Sequence, residues 1–217
     1  MTGGRNPALR AVLWDFGGVF SSSPFDAFAA YERSRGLPPD FLRRVNTVNP
    51  DGNAWARLER GEITVAAFDA AFERESAALG HAVPGRDVAL LLFGDIRPAM
   101  VAALKACKAV FKTACITNNF GDLGPAVVSP ARAAQWREVV GLFDAVFESS
   151  KVGIRKPEPA IYRLACERLG VEPHEAVYLD DLGINLKPAR ALGMTTIKVG
   201  DPAVAIAELA SVTGLSL

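Results

Sequence analysis

The chain has 217 residues, enough to bury one α/β core with a modest insertion but few for two independent domains. Lys plus Arg and Asp plus Glu both total 24, so no net field draws it to nucleic acid or to an anionic membrane surface. The longest apolar runs, such as 88–93, fall far short of the roughly 20 residues of a membrane span, and the opening MTGGRNPALR has no apolar signal core, so a cytoplasmic protein is expected.

Taken in order, AVLWDF at 11–16 is a short apolar run stopped by Gly17-Gly18, the pattern of a buried strand entering a tight loop, with Asp15 at its carboxyl end. From Pro24 to about Leu92 the periodicity is helical throughout, in FDAFAAYERSRG, PPDFLRRVN and ITVAAFDAAFERESAALG. A helix ending near Lys108 follows, then the strand KTACIT. GPAVVSPA at 124–131 reads as loop, and beyond it come the strand AVF, the helix EPAIYRLACERLG, the strand AVYLDD, a helix to Leu192 and the strand TTIKV. Strands alternating with helices predict a parallel sheet, and the polar residues Asp15, Thr117 and Asp180 fall at strand carboxyl ends, where such sheets bind ligands. The helical block then emerges above that crevice, placed to act as a lid.

Each candidate residue has a chemical reason. Asp15 can attack phosphorus and split one hard hydrolysis into two displacements. Thr117, with the amides of the Asn118-Asn119 turn, can hold transferring oxygens. Lys156, just before a proline-led helix start, can reach both the nucleophile and a phosphate. Asp180 and Asp181 at one buried strand end repel each other unless a cation neutralises them, and oxygen ligands of this kind favour Mg²⁺. A capping carboxylate, a polar strand exit or a solvated lysine would explain each one singly. The three cysteines, Cys107, Cys115 and Cys166, lack CxxC spacing and read as buried thiols. His81 and His174 have no partner at metal-ligand spacing. Trp14 reads as core, whereas Trp55 could pack helices or roof a pocket. Arg97 and Arg155 lie near the crevice but, as surface arginines usually do, carry no assigned role.

The order of these motifs, WDFGGV, CITNN, GIRKPEPAIY and YLDDLGINLKPARALGM, resembles the haloacid dehalogenase superfamily over nearly the whole chain. DFGGV with ITNNF and RKPEPAIY is most similar to the branch holding the amino-terminal phosphatase domain of soluble epoxide hydrolases and acyl-CoA dehydrogenase fusion proteins. The resemblance implies an α/β fold with a Rossmann-like, three-layer parallel-sheet core over 1–20 and 97–217 and a small all-helical cap over 21–96. It implies a Mg²⁺-dependent phosphatase acting on a small phosphorylated metabolite. Apolar stripes on the cap helices can pack internally or against a second subunit, so a monomer or homodimer is expected. Asp15, Thr117 and Lys156 would be catalytic, Gly18, Asn118 and Asn119 would bind substrate, and Asp15, the Gly17 carbonyl, Asp180 and Asp181 would form the metal set, with Asp181 the likelier direct ligand. Asn185 would brace the loop.

One position departs from the family pattern. Phosphatases of this type carry a second Asp two residues after the nucleophile, as the proton donor to the leaving group; Gly17 stands there. General acid–base catalysis contributes about 10²–10⁴ in rate. The substrate then has a good leaving group, or a cap residue or water replaces the acid. A metal-free 2-haloacid dehalogenase, or a binding protein that has lost turnover, are the alternatives.

Overall fold

A computed structural model describes residues 6–118 and 130–217 of the chain, so Asn119 and most of the 124–131 loop lie outside the described residues. Five strands form one parallel sheet: β1 (Ala11–Trp14), β2 (Lys112–Thr117), β3 (Ala145–Glu148), β4 (Ala176–Asp180) and β5 (Thr195–Lys198), in the order β3-β2-β1-β4-β5. Both faces are covered, as an all-parallel sheet requires.

The pleat sorts the β1 residues. Val12 and Trp14 face α6 (Pro98–Lys108), α7 (Pro130–Val140) and α11 (Pro202–Thr213), joining Met100, Leu104, Cys107 and Leu209 in one core. Ala11 and Leu13 face α9 (Pro159–Leu169) and α10 (Gly183–Ala191), joining Ile161, Tyr162, Leu186 and Ala189 in a second. These side chains are essentially inaccessible to water, and each large one contributes about 1.5–3 kcal/mol by burial. Trp14 is core, as its alternation predicted, and all three cysteines are buried free thiols. No helix among the described residues is long and apolar enough to cross a membrane.

The stretch between β1 and α6 holds α1 (Pro24–Arg35), α2 (Phe41–Thr47), α3 (Ala54–Glu59), α4 (Val65–Ala78) and α5 (Gly85–Leu90), which share a third apolar cluster centred on Phe28, Leu58, Phe68 and Phe72. α1 starts at Pro24 behind a Ser23 cap and stops at Gly36. Within it, buried Glu32 accepts hydrogen bonds from the amides of Asp40 (3.0 Å) and Leu42 (2.9 Å), so the start of α2 is capped from another helix. Two chain segments tie this layer to the sheet. Ser21 and Ile96 form an antiparallel bridge, Ser22 N donates to Asp95 O at 2.9 Å, and Arg97 N donates to Phe20 O at 2.8 Å.

Three α-helices have no counterpart in the sequence reading: α7, the one-turn α8 (Ser149–Val152) and α11. α7 buries only Val139 completely, so it offers no apolar stripe to detect. α11 lies beyond the last strand assigned from sequence and covers one sheet face with Ala205 and Leu209.

Candidate active site

The chain leaves β1 toward β2 and leaves β4 toward β5, so the sheet's switch point lies between β1 and β4. Asp15 stands there. Its amide donates to Leu179 O at 2.8 Å, which extends the ladder one residue past β1 and fixes the backbone. Its Oδ1 accepts from Phe16 N at 2.6 Å and from the Lys156 ammonium at 2.7 Å. The described residues bring no donor to Oδ2. Burial pushes the Asp15 carboxyl well above the usual carboxylate range; Lys156 opposes this, and Asp180 and Asp181 add to it.

Lys156 arrives from the loop before α9 and is 2% exposed. Besides Asp15 it donates to Asp180 Oδ2 at 2.9 Å. Burial alone would lower its pKa, but the two carboxylates outweigh burial and hold the ammonium above the ordinary lysine range. Asp180 is wholly buried and saturated with donors. Its oxygens also accept from the Tyr178 hydroxyl, from Asn185 Nδ2 at 3.1 Å and from Leu182 N at 2.8 Å. Asn185, in the first turn of α10, thus ties that helix to the end of β4.

Asp181 is only partly buried and lines the cavity in front of the site. Its carboxyl is pushed up to about 6, first by burial and then by Asp180. Oxygens of Asp15, Asp180 and Asp181 all lie within 4.8 Å of one another. One ammonium cannot balance three ionised carboxylates, so the donor set fits a hard divalent cation. Asp180, with its lone pairs taken up by protein donors, stands behind Asp15 and Asp181 in that set.

Gly18 has φ +70°, and a Cβ there would lie 2.2 Å from Asp181 Oδ2, so no larger residue allows this approach. Its carbonyl accepts from Arg97 Nη1 at 2.6 Å, which gives Arg97 the task of fixing the loop after Asp15. At Gly17, by contrast, a Cβ would meet nothing within 4 Å.

Thr117 and Asn118 line the same cavity from the end of β2. The Asn118 side chain is committed to Lys156: Oδ1 accepts from Lys156 N at 2.8 Å, and Nδ2 donates to Lys156 O at 3.0 Å. It therefore clamps the lysine backbone, a role the sequence reading did not give it. Asn119 lies outside the described residues.

The cavity measures about 1130 Å³ and runs from Asp15, Gly17 and Asp181 up to Phe25 and Trp55 on the helical layer and Trp136 on α7. Trp55 takes both roles left open for it, packing on Phe68 and Phe72 and lining the cavity. Two contributors escaped sequence reasoning. Tyr178 carried a signal, since residues two apart on a strand share a face and so place it beside Asp180. Glu59 carried none: it lines the cavity from the end of α3, where the fold brings it against Asn118 and Arg155, residues distant in the chain.

A family model described as haloacid dehalogenase-like hydrolase matches residues 9–193. Over 220 residues the chain is 37% identical to bifunctional epoxide hydrolase 2 of Mus musculus, covering 95% of this chain but only 39% of that protein's length. It is 32% identical over 204 residues to glyceraldehyde 3-phosphate phosphatase of Methanocaldococcus jannaschii, covering 88% of this chain and 85% of the relative. A haloacid dehalogenase family enzyme from Bacteroides thetaiotaomicron, solved with magnesium and inorganic phosphate, superposes with a TM-score of 0.60 at 20% identity, over 89% of this chain and 96% of that one, a likeness of fold. With the parallel sheet, the acidic switch point and a family match that runs from β1 through α10, the chain belongs to the haloacid dehalogenase-like hydrolases.

Proposed function

We propose that the chain hydrolyses small phosphate monoesters with the help of Mg²⁺ and through a phosphorylated Asp15. The observation that carries this reading is the Lys156 ammonium set between Asp15 (2.7 Å) and Asp180 (2.9 Å), with Asp181 open to the cavity on the other side. Mg²⁺, when held by Asp15, Asp181 and the Gly17 carbonyl, would neutralise charge on the phosphoryl oxygens. The protein's own groups do the rest.

Phe16 N and Lys156 pin Oδ1 of Asp15, so the carboxylate is oriented before substrate arrives. As the Asp15 oxygen bonds to phosphorus, the ester P–O bond breaks and its electron pair leaves with the alcohol oxygen. Thr117, the Gly18 backbone and Lys156 would hold the equatorial oxygens. Water then attacks the acyl phosphate, releasing inorganic phosphate and restoring Asp15. Gly17 offers no proton to the departing oxygen, so solvent supplies it and substrates with stable leaving groups are favoured. That group would lie beneath Phe25, Trp55 and Trp136, which suits an ester with apolar surface.

Release of p-nitrophenol from p-nitrophenyl phosphate, with and without Mg²⁺, tests the reading. Turnover that needs Mg²⁺ and vanishes in Asp15→Asn is the expected outcome. A folded, Mg²⁺-loaded protein inactive on this ester and on a panel of sugar and acyl phosphates would overturn it.

A further inference from the structure

Glu59 ends α3, on the helical layer, yet its side chain is 7% exposed and bonds across to the sheet layer. Its Oε2 accepts from Arg155 Nε at 2.6 Å and from Asn118 Nδ2 at 3.3 Å, while Oε1 accepts from Trp55 Nε1 at 2.8 Å. Arg155 reaches further into the helical layer, donating from Nη1 to Pro50 O at 3.1 Å. Two of these partners flank the lysine. Arg155 is its chain neighbour, and Asn118 grips its peptide group from both sides. Glu59 therefore fastens the residue that holds Lys156 and the residue that precedes it, although no bond joins Glu59 to Lys156 itself.

We infer that Glu59 is a positioning residue for this reaction: through Arg155 and Asn118 it locks the Lys156 loop against Asp15, so the helical layer must be seated before the nucleophile is fully aligned. The inference rests on Lys156 serving the phosphatase chemistry proposed above. The physical case is the geometry of the pair. A charge pair of this kind, with Glu59 buried and Arg155 largely so, stabilises little by its mere presence, but its close geometry makes it a device for fixing position. An error of about 1 Å in a positioned group can cost up to about 10² in rate. Trp55, on α3 itself, serves Oε1, whereas both donors to Oε2, Arg155 and Asn118, come from the sheet layer, so Oε2 is satisfied only when α3 rests there.

The test compares wild type, Glu59→Gln, Arg155→Gln and the double variant on p-nitrophenyl phosphate with Mg²⁺. Gln keeps the shape but removes the charge and one of the two acceptor oxygens, so an amide N–H faces either Arg155 or Trp55. Expected is a fall in kcat of about tenfold in Glu59→Gln with KM changed less than about twofold, since Thr117 and the Gly18 backbone, which share the phosphate oxygens with Lys156, make no bond to Glu59. The double variant should lose no more than the larger single loss, because both act through one contact. Glu59→Asp should recover part of kcat. Should Glu59→Gln unfold at the assay temperature, Arg155→Lys, which keeps the charge but loses the Nε–H that Glu59 accepts, is read instead and should lower kcat by about threefold with KM nearly unchanged. Unchanged kcat in the folded variants, a change in KM alone, or multiplicative losses in the double variant would overturn the positioning role while leaving the phosphatase reading intact. A wild-type protein with no Mg²⁺-dependent turnover would take down both.

Discussion

Two adjacent glycines show how differently one residue type can be chosen. Gly18 is favoured by backbone and space together, since its φ of +70° strains any other residue and a Cβ 2.2 Å from Asp181 Oδ2 would push that carboxylate out of place. Gly17 is under no such constraint, with open room where a Cβ would go and the cavity in front of it. The missing acid is therefore a matter of chemistry, and the site can accept one. In Gly17→Asp, kcat/KM toward an alkyl phosphate such as glycerol phosphate should rise by about 10–10², while p-nitrophenyl phosphate, whose leaving group needs little protonation, should change by less than about threefold. Equal effects on both esters, or a loss on both, would show that the acid is supplied elsewhere or is not missed. The sequence carried Asp15, Lys156, Asp180 and Asp181 plainly because each closes an apolar run or opens a proline-led helix. The hold of Asn118 on Lys156, the donation of Tyr178 to Asp180 and the reach of Glu59 to Arg155 are contacts between distant segments, and the last left no mark in local pattern.

At the scale of elements, the strands were legible because the sheet is covered on both faces, which turns each into an apolar run ended by a polar residue. α7 was not, since a helix with one fully buried residue has almost no stripe. Junctions between elements were illegible for a related reason: they depend on backbone approaching backbone. α3 meets α8 (Ser149–Val152) this way. Gly61, just past α3, has φ +71°, and a Cβ there would stand 2.5 Å from Ser150 O. Gly61→Ala carries the cost of the left-handed conformation, about 1 kcal/mol, and of pushing α3 off the sheet layer. A total of about 1–3 kcal/mol is expected, which at about 2–4 °C per kcal/mol lowers the melting temperature by several degrees. Because α3 carries Glu59, kcat should fall with it. A melting curve that overlays wild type would mean the junction yields freely.

Across the whole molecule, the acidic switch point joins the sheet's central strands, so its charge state bears on global stability. Asp181 has its carboxyl raised to about 6, against an ordinary value of 3.8, and Asp15 is raised as well. A raised carboxylate holds its proton more tightly folded than unfolded, so without metal the folded state is favoured below about pH 4 and loses that advantage as pH rises through about 6. Above that pH an ionised Asp181 repels its carboxylate neighbours, a repulsion that Lys156 and Arg97 offset only in part. A cation bound there opposes the repulsion and stabilises the folded state by mass action, about 2.7 kcal/mol at 100 times its dissociation constant. Saturating Mg²⁺ should therefore raise the melting temperature by roughly 5–10 °C at pH 7.5, and by much less at pH 5, where protons compete for the same oxygens. Asp181→Asn removes one repelling charge and one ligand together. Its metal-free form should melt higher than metal-free wild type at pH 7.5, and Mg²⁺ should scarcely move it. Scanning calorimetry at the two pH values decides the matter: equal Mg²⁺ shifts at both, or an Asp181→Asn protein that melts lower without metal, would mean that these three carboxylates are not a cation site held under electrostatic tension.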